Sequence, residues 1–324
     1  MDKKKALFAL IMVLALLPLV WTSDYYRHIF ILTFIWVIIG SAWNLLSGYA
    51  GQVSFGHAIF FGTGAYTAGL CVTKLHISAW WGMLFAGPVT MLVGFIIGWI
   101  CFRLRGPYFA LATIAFGEIF LQVAKVWKDL TGGMLGILII QSFRSKLPYY
   151  YIGLALALLC IFVVYKVVNS KLGYYFIAIR EDQDAAEAIG VSSFRYKTIA
   201  LLISSFFTGL AGAFYMNYMA FIDPQVVFSL HYISIMAILV SIIGGVGTIW
   251  GPPLGAFIMV WLQETFRSSL FGLAPRWISE AHVLAFGILV ILVIRFLPNG
   301  IVGDWHKIVA IFSRKPSLAS QEKS

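Results

Sequence analysis

Apolar residues in this chain neither alternate nor stripe; they come in unbroken runs separated by short polar or glycine-rich intervals. Ten such runs can be drawn, at 6–22, 28–47, 54–73, 79–102, 107–124, 149–168, 198–221, 231–250, 252–268 and 281–297. A helix needs roughly 20 apolar residues to cross a hydrocarbon layer about 30 Å thick, and only a helix or a closed barrel satisfies every backbone N–H and C=O there. The pattern therefore predicts an all-α, polytopic transmembrane helical bundle of about ten spans. The runs at 54–73 and 252–268 are short or broken by glycine, which keeps counts of eight and nine open.

Composition agrees. The 324 residues are 61% apolar and 11% charged, against roughly 25% charged in a soluble domain. With ten spans and an inside N-terminus, fifteen of the 23 Lys and Arg fall on the cytoplasmic side, where short loops concentrate them. Both termini are then cytoplasmic. The net charge of +10 sits at helix ends, facing lipid headgroups rather than nucleic acid. The basic start and apolar run of MDKKKALFALIMVLALLPLVWTS also resemble a signal peptide, but no A-x-A site follows, and a first spanning helix is the expectation. Cys71, Cys101 and Cys160 are isolated, so neither a disulfide framework nor a metal site is expected.

No linker divides residues 1–312, which form one membrane domain; 313–324, SRKPSLASQEKS, is a polar tail expected to be disordered and cytoplasmic. Two glycine-rich passages, GYAGQVSFGHAIFFGTGAY and GGVGTIWGPPLGAFI, are loosely alike. Ala58, Gly62, Ala65 and Gly69 fall on one helical face, where small residues let backbones approach; Gly94 and Gly98 repeat the device. Pro107 is placed to open a helix and Pro88 to kink one. Trp80, Trp81 and Tyr149 to Tyr151 stand at run ends, as an aromatic belt would.

The chain has thirteen acids, and four of them, Glu181, Asp182, Asp184 and Glu187, crowd the polar interval at about 171–197. Asp182 is positioned to cap a short helix, with Asp184 in its first turn and Gly190 as its left-handed stop. Ala185, Ala186 and Ile189 would form a small apolar patch. Ser192 or Ser193 would cap the next helix, with Arg195 and Lys197 marking its entry into the membrane. Such a helix suits docking into a groove on another protein; a merely solvated loop is the alternative.

DAAEAIG resembles, with Asp184 for the usual glutamate, the E-A-A-x-x-x-G signature of the coupling loop of ABC importer permeases. TIALL stands where Leu-Pro would follow in the sugar and phosphate branches. With GQVSFGHAIFFGTGAYTAG, RGPYFALATIAFGEI, TGGMLGI, REDQDAAEAIGVSSFRYK and GGVGTIWGPPLGAFI in the family's order, residues 48–257 are similar to the LivM-type permease of branched-chain amino acid importers. The related urea permeases are the alternative branch.

The resemblance implies a permease subunit of the bacterial cytoplasmic (inner) membrane. Its implied partners are a second permease, a different but related chain, two ATP-binding subunits, and a periplasmic or extracellular substrate-binding protein. The coupling loop would comprise Arg180, Glu181, Asp182, Asp184, Ala185, Ala186, Glu187, Ile189 and Gly190. No G-x-x-x-x-G-K-[ST] occurs, so if ATP drives transport it is hydrolysed on another chain; the resemblance implies no cofactor on this chain, with ATP and Mg on the partner subunits.

Glu118 is the acid deepest in a run, about 16 Å from its start, with Gln122 one turn above. A pathway role, an inter-helix bond and lipid exposure are all open to it. Asn44, Gln52, Ser54 and His57 bracket the first glycine-rich passage and could line a route, His57 equally being a packing residue. Glu264 and Arg267 are spaced to pair. The outer segment from Lys125 to Pro148 is a contact for the binding protein or a flexible connector. An ion-coupled transporter working alone would have to use Glu118 and leaves the acidic loop unexplained; no paired carboxylates, H-E-x-x-H or G-x-S-x-G support an enzyme.

Overall fold

The computed structural model describes residues 3–20, 23–104, 106–270, 287–288, 291, 295–297 and 299–304. Helices form where the apolar runs demand them. They are α1 (Lys3–Val20), α2 (Asp24–Trp43), α3 (His57–Thr73), α4 (Ala79–Cys101) and α5 (Pro107–Val126), then a short α6 (Lys128–Thr131), strand β1 (Ile137–Leu138) and α7 (Lys146–Val168). The polar interval folds as α8 (Lys171–Glu181) and α9 (Gln183–Ala188). After it come α10 (Ser193–Met219), β2 (Phe221–Ile222), α11 (Pro224–Val227), α12 (Met236–Gly244), α13 (Gly251–Leu270) and one turn, α14 (Gly300–Gly303). A π-helical turn extends α2 at Asn44–Tyr49, and another precedes α12 at Leu230–Ile235.

Among the described residues six helical stretches are long and apolar enough to cross a membrane: Asp24–Tyr49, Ala79–Cys101, Pro107–Val126, Lys146–Val168, Ser193–Met219 and Pro224–Gly244. The expected ten spans are not reached there. α1, α3 and α13 are helical without being among the six; α3 has only 17 residues. The run at 281–297 lies largely outside the described residues, as does the tail at 313–324, and Arg267's side chain, the expected partner of Glu264, is also outside them.

α10 is the centre, with α3 and α4 packed on it and on each other, while α2 bridges it to α7, α12 and α13. Helices in lipid gain no hydrophobic drive from meeting one another, so backbone proximity is what holds them. A Cβ on Gly212 would lie 2.0 Å from the Phe61 carbonyl oxygen, and one on Gly64 would lie 2.1 Å from that of Gly209. α4 approaches through Gly94, facing Ser205, and Gly98, facing Leu201. The stripe of Ala58, Gly62, Ala65 and Gly69 is packed too, but with Gly62 against the Phe228 ring and Gly69 against Met216 and Ile137. The close backbone approach of α3 to α10 uses Phe61 and Gly64, roughly a third of a turn round the helix.

Connections gather at two ends. At the hairpin end, β1 pairs antiparallel with β2, so the 125–148 segment is tied down, and Gln141 donates to the Tyr218 carbonyl at 2.8 Å. Serines cap the helices entering there: Ser78 Oγ accepts from Trp80 N–H and Ser145 Oγ from Leu147 N–H. Tyr149 and Tyr150 do not stand in an outward belt; both are buried. The Tyr150 and Tyr151 hydroxyls instead donate to the Leu14 and Ala15 carbonyls, strapping α1 to α7. Trp81 is exposed near the start of α4.

Gly212→Ala should separate α3 from α10 and cost about 2–3 kcal/mol, the scale of core overpacking. Thermal unfolding of the purified chain in detergent checks it; Gly117→Ala, where the new methyl meets nothing within 4 Å, should leave the midpoint unchanged or raised.

Candidate functional site

The other end, the loop end, carries α8 and α9. Ser170 Oγ caps α8, accepting from Leu172 N–H, and Asp182 both ends α8 and caps α9, its Oδ1 accepting from Ala185 N–H at 3.0 Å. One residue thus joins two helices and leaves no slack between them. Gly190, at φ +89°, turns the chain into α10 in a conformation that side-chain-bearing residues avoid.

The acids divide the work. Glu181 accepts from Arg180 Nε at 3.1 Å and Nη2 at 2.5 Å, Glu187 accepts from Ser193 Oγ, and Asp184 lies in the first turn of α9, where the positive end of the helix dipole favours it. Ser192 occupies the N-cap of α10 without a side-chain cap bond. Gln183, which sequence reasoning passed over, is the hub: its Nε2 donates to Glu187 at 3.0 Å and to Ser193 at 3.2 Å, and its Oε1 accepts from Lys197 Nζ at 2.6 Å. Its i, i+4 spacing to Glu187 was the signal available.

Two expectations change. Ala186 is not part of an outward apolar patch: it is 3% exposed and packs with Ile179 and Val191, which fixes α9 on α8 and α10. Lys197 is buried and turned inward to Gln183 rather than reaching for headgroups. The face left outward is Asp184, Ala185, Ala188 and Ile189, with Ile189 at 78% exposure.

Inward of α8 lie both glycine-rich breaks. Asn44, 1% exposed, donates through Nδ2 to the Thr248 carbonyl and accepts at Oδ1 from Gly247 N–H, each at 2.8 Å. Ser54 Oγ accepts from Gly56 N–H, and Trp43 Nε1 donates to the Ser54 carbonyl. His57 Nε2 meets Ser204 Oγ at 2.8 Å, and Ala58 N–H is taken by Ser234 Oγ. Asn44, Ser54 and His57 thus hold broken backbone and helix contacts; Gln52 is partly exposed.

Glu118 and Gln122 stand elsewhere, on the outward side of α5, where Gln122 Nε2 donates to Glu118 Oε1. Tyr108, Leu111, Ile119 and Val123 are exposed on the same helix. The hydrogen bond of Gln122 runs to Glu118 and not to the break cluster, so by hydrogen bonding the six candidate pathway residues fall into two separate groups.

Comparison with known proteins places this architecture. Residues 25–294 match the family model described as branched-chain amino acid transport system, permease component. The LivM permease protein of the high-affinity branched-chain amino acid transport system of Escherichia coli is 28% identical over 301 residues, 84% of this chain and 68% of that protein. Its counterpart in Salmonella typhimurium is 27% identical over the same length and the same shares. The LivH permease protein of the Escherichia coli system is 23% identical over 297 residues, covering 83% of this chain and 91% of that one. No solved structure gives a significant match. The chain is a multi-pass helical membrane protein and belongs to the permease-component family of branched-chain amino acid transport systems.

Proposed function

We propose that this chain is the transmembrane subunit of an ATP-driven importer of branched-chain, hydrophobic amino acids. Two separate ATP-hydrolysing subunits, which hold the ATP and Mg, grip α9, and their closure is converted into alternating access by the bundle. One observation carries the reading: a two-turn helix is fixed rigidly from within by Ala186, Asp182 and Gln183 while its opposite face, Asp184, Ala185, Ala188 and Ile189, is left outward. A loop that only needed solubility would have no use for so many internal ties.

The loop end faces the cytoplasm in this reading, and the membrane is the bacterial cytoplasmic membrane. The hairpin end meets a substrate-binding protein through the 125–148 segment. The similarity to both LivM and LivH proteins supports pairing with a related but different permease. That partner covers α5, of whose apolar stretch only 17% is buried within this chain. An acid at mid-membrane depth facing lipid costs about 2.5–3.5 kcal/mol, so Glu118 with Gln122 is better placed against the second permease, beside a route running between the two chains.

Three measurements check this. Ile189→Glu should lower capture of the ATPase subunits about tenfold, or about 1.4 kcal/mol, with folding unaltered; undiminished co-purification contradicts the docking face. Ile189→Cys should react with an impermeant maleimide only after the membrane is opened from the cytoplasmic side, and the three native cysteines, all buried, keep the background low. Glu118→Leu should depress uptake or release the second permease. Unchanged uptake with greater stability would put that carboxylate against lipid.

A further inference from the structure

Arg180 belongs to the coupling segment by position but not by direction. Its guanidinium is held on two sides by its own chain: Nε and Nη2 rest on Glu181 Oε1, and Nη1 donates to the Gly48 carbonyl at 3.0 Å, 132 positions away. Gly48 lies in the π-helical turn that ends α2. A Cβ there would fall 2.1 Å from Asn44 Oδ1 and 2.7 Å from Gly247 N, so Gly48 is pressed into the joint where Asn44 clasps the second glycine-rich break.

Arg180 also fills the space between the two breaks. Gly51, at φ +71°, has no room for a methyl because Arg180 Cγ, Cα and Cβ lie 2.9, 3.0 and 3.1 Å from where it would stand. On the other side a Cβ on Gly247, at φ +74°, would be 3.2 Å from Arg180 Nη1. These glycines make a slot for one side chain, and that side chain stands at the C-terminal end of α8, two residues before the Asp182 joint to α9.

We propose that Arg180 is the transmission residue of this permease: it passes displacement of α9 into both helix breaks at once, through Gly48 directly and through the Asn44 clasp to Gly247 and Thr248. The proposal rests on the coupling reading of α9, and it takes Arg180 out of the docking face. A rigid planar fork with fixed partners transmits position, whereas a lysine's single flexible ammonium does not. The element it moves is a π-turn, a wide irregular turn of the kind found at functional sites.

The test uses the complete importer in proteoliposomes with Arg180→Ala and Arg180→Lys. Both should keep the ATPase subunits bound and ATP hydrolysis running, while amino acid uptake falls about tenfold for Ala and by less for Lys, within the usual range of coupling between sites. A nitroxide at Val246→Cys, an exposed position in the second break, should lose its ATP-dependent change in mobility in both variants. Unchanged uptake, or loss of ATPase capture in step with uptake, overturns the proposal. So does an unaltered nitroxide response in the lysine variant, which keeps the charge and reports even where the alanine variant fails to assemble. Failure of the coupling reading itself shows differently, as undiminished ATPase capture by Ile189→Glu.

Discussion

An interrupted helix inside a membrane protein leaves backbone N–H and C=O groups that no water will meet, and the arrangement of the loop end follows from that requirement. The residues between Tyr49 and His57, and between Gly244 and Gly251, are such interruptions. The first is laced by Ser47, Ser54, Trp43 and Thr113, the second by Thr248 and Asn44. Because Asn44 bonds across from one to the other, the two are a single joint. Hydrogen bonds of this kind are worth about 0.6 to 2 kcal/mol each between membrane helices, and leaving a buried partner unmade costs more. Asn44 is therefore as structural as any core side chain, although it is polar and lies at the end of a span.

This joint explains why α3, though only 17 residues long, is so thoroughly enclosed. It starts at His57, bonded to Ser204 on α10, and its second residue is bonded to Ser234. From there it runs against α10 and α4 with glycine at each close approach. The polar anchors set its position at the loop end; the glycines let it follow α10 toward the hairpin end.

The helical architecture was legible because apolar run length is set by bilayer thickness and survives any tertiary arrangement. Helix ends were legible where chemistry is local: Asp182 as a cap, Gly190 as a stop, Pro107 at the head of α5. Facing directions were less so. Ala186 and Lys197 were placed outward from their loop setting, yet the first is covered by Ile179 and Val191 and the second by Gln183, partners brought together only by the fold. The short stripe on α3 was visible, but not that Gly64 meets Gly209, because one helix's sequence does not name its neighbour. The likeness between the two glycine-rich passages was visible as a pattern; that they touch through Asn44 and Arg180 needed three dimensions.

The two π-helical turns, at Asn44–Tyr49 and Leu230–Ile235, bear on how this chain can evolve. A π-turn is an ordinary helix with one residue too many, and deleting that residue would restore a regular ladder at the cost of the widened turn and of the carbonyl and side-chain positions it creates. In the first case Arg180 would lose Gly48; in the second the hydroxyl of Ser234 would turn from Ala58. Point substitutions along these segments are open to gradual compensation, but a one-residue gap is not. Chain length at these two turns is therefore as much a part of the joint as the groups that bond across it, the Gly48 carbonyl and the Ser234 hydroxyl.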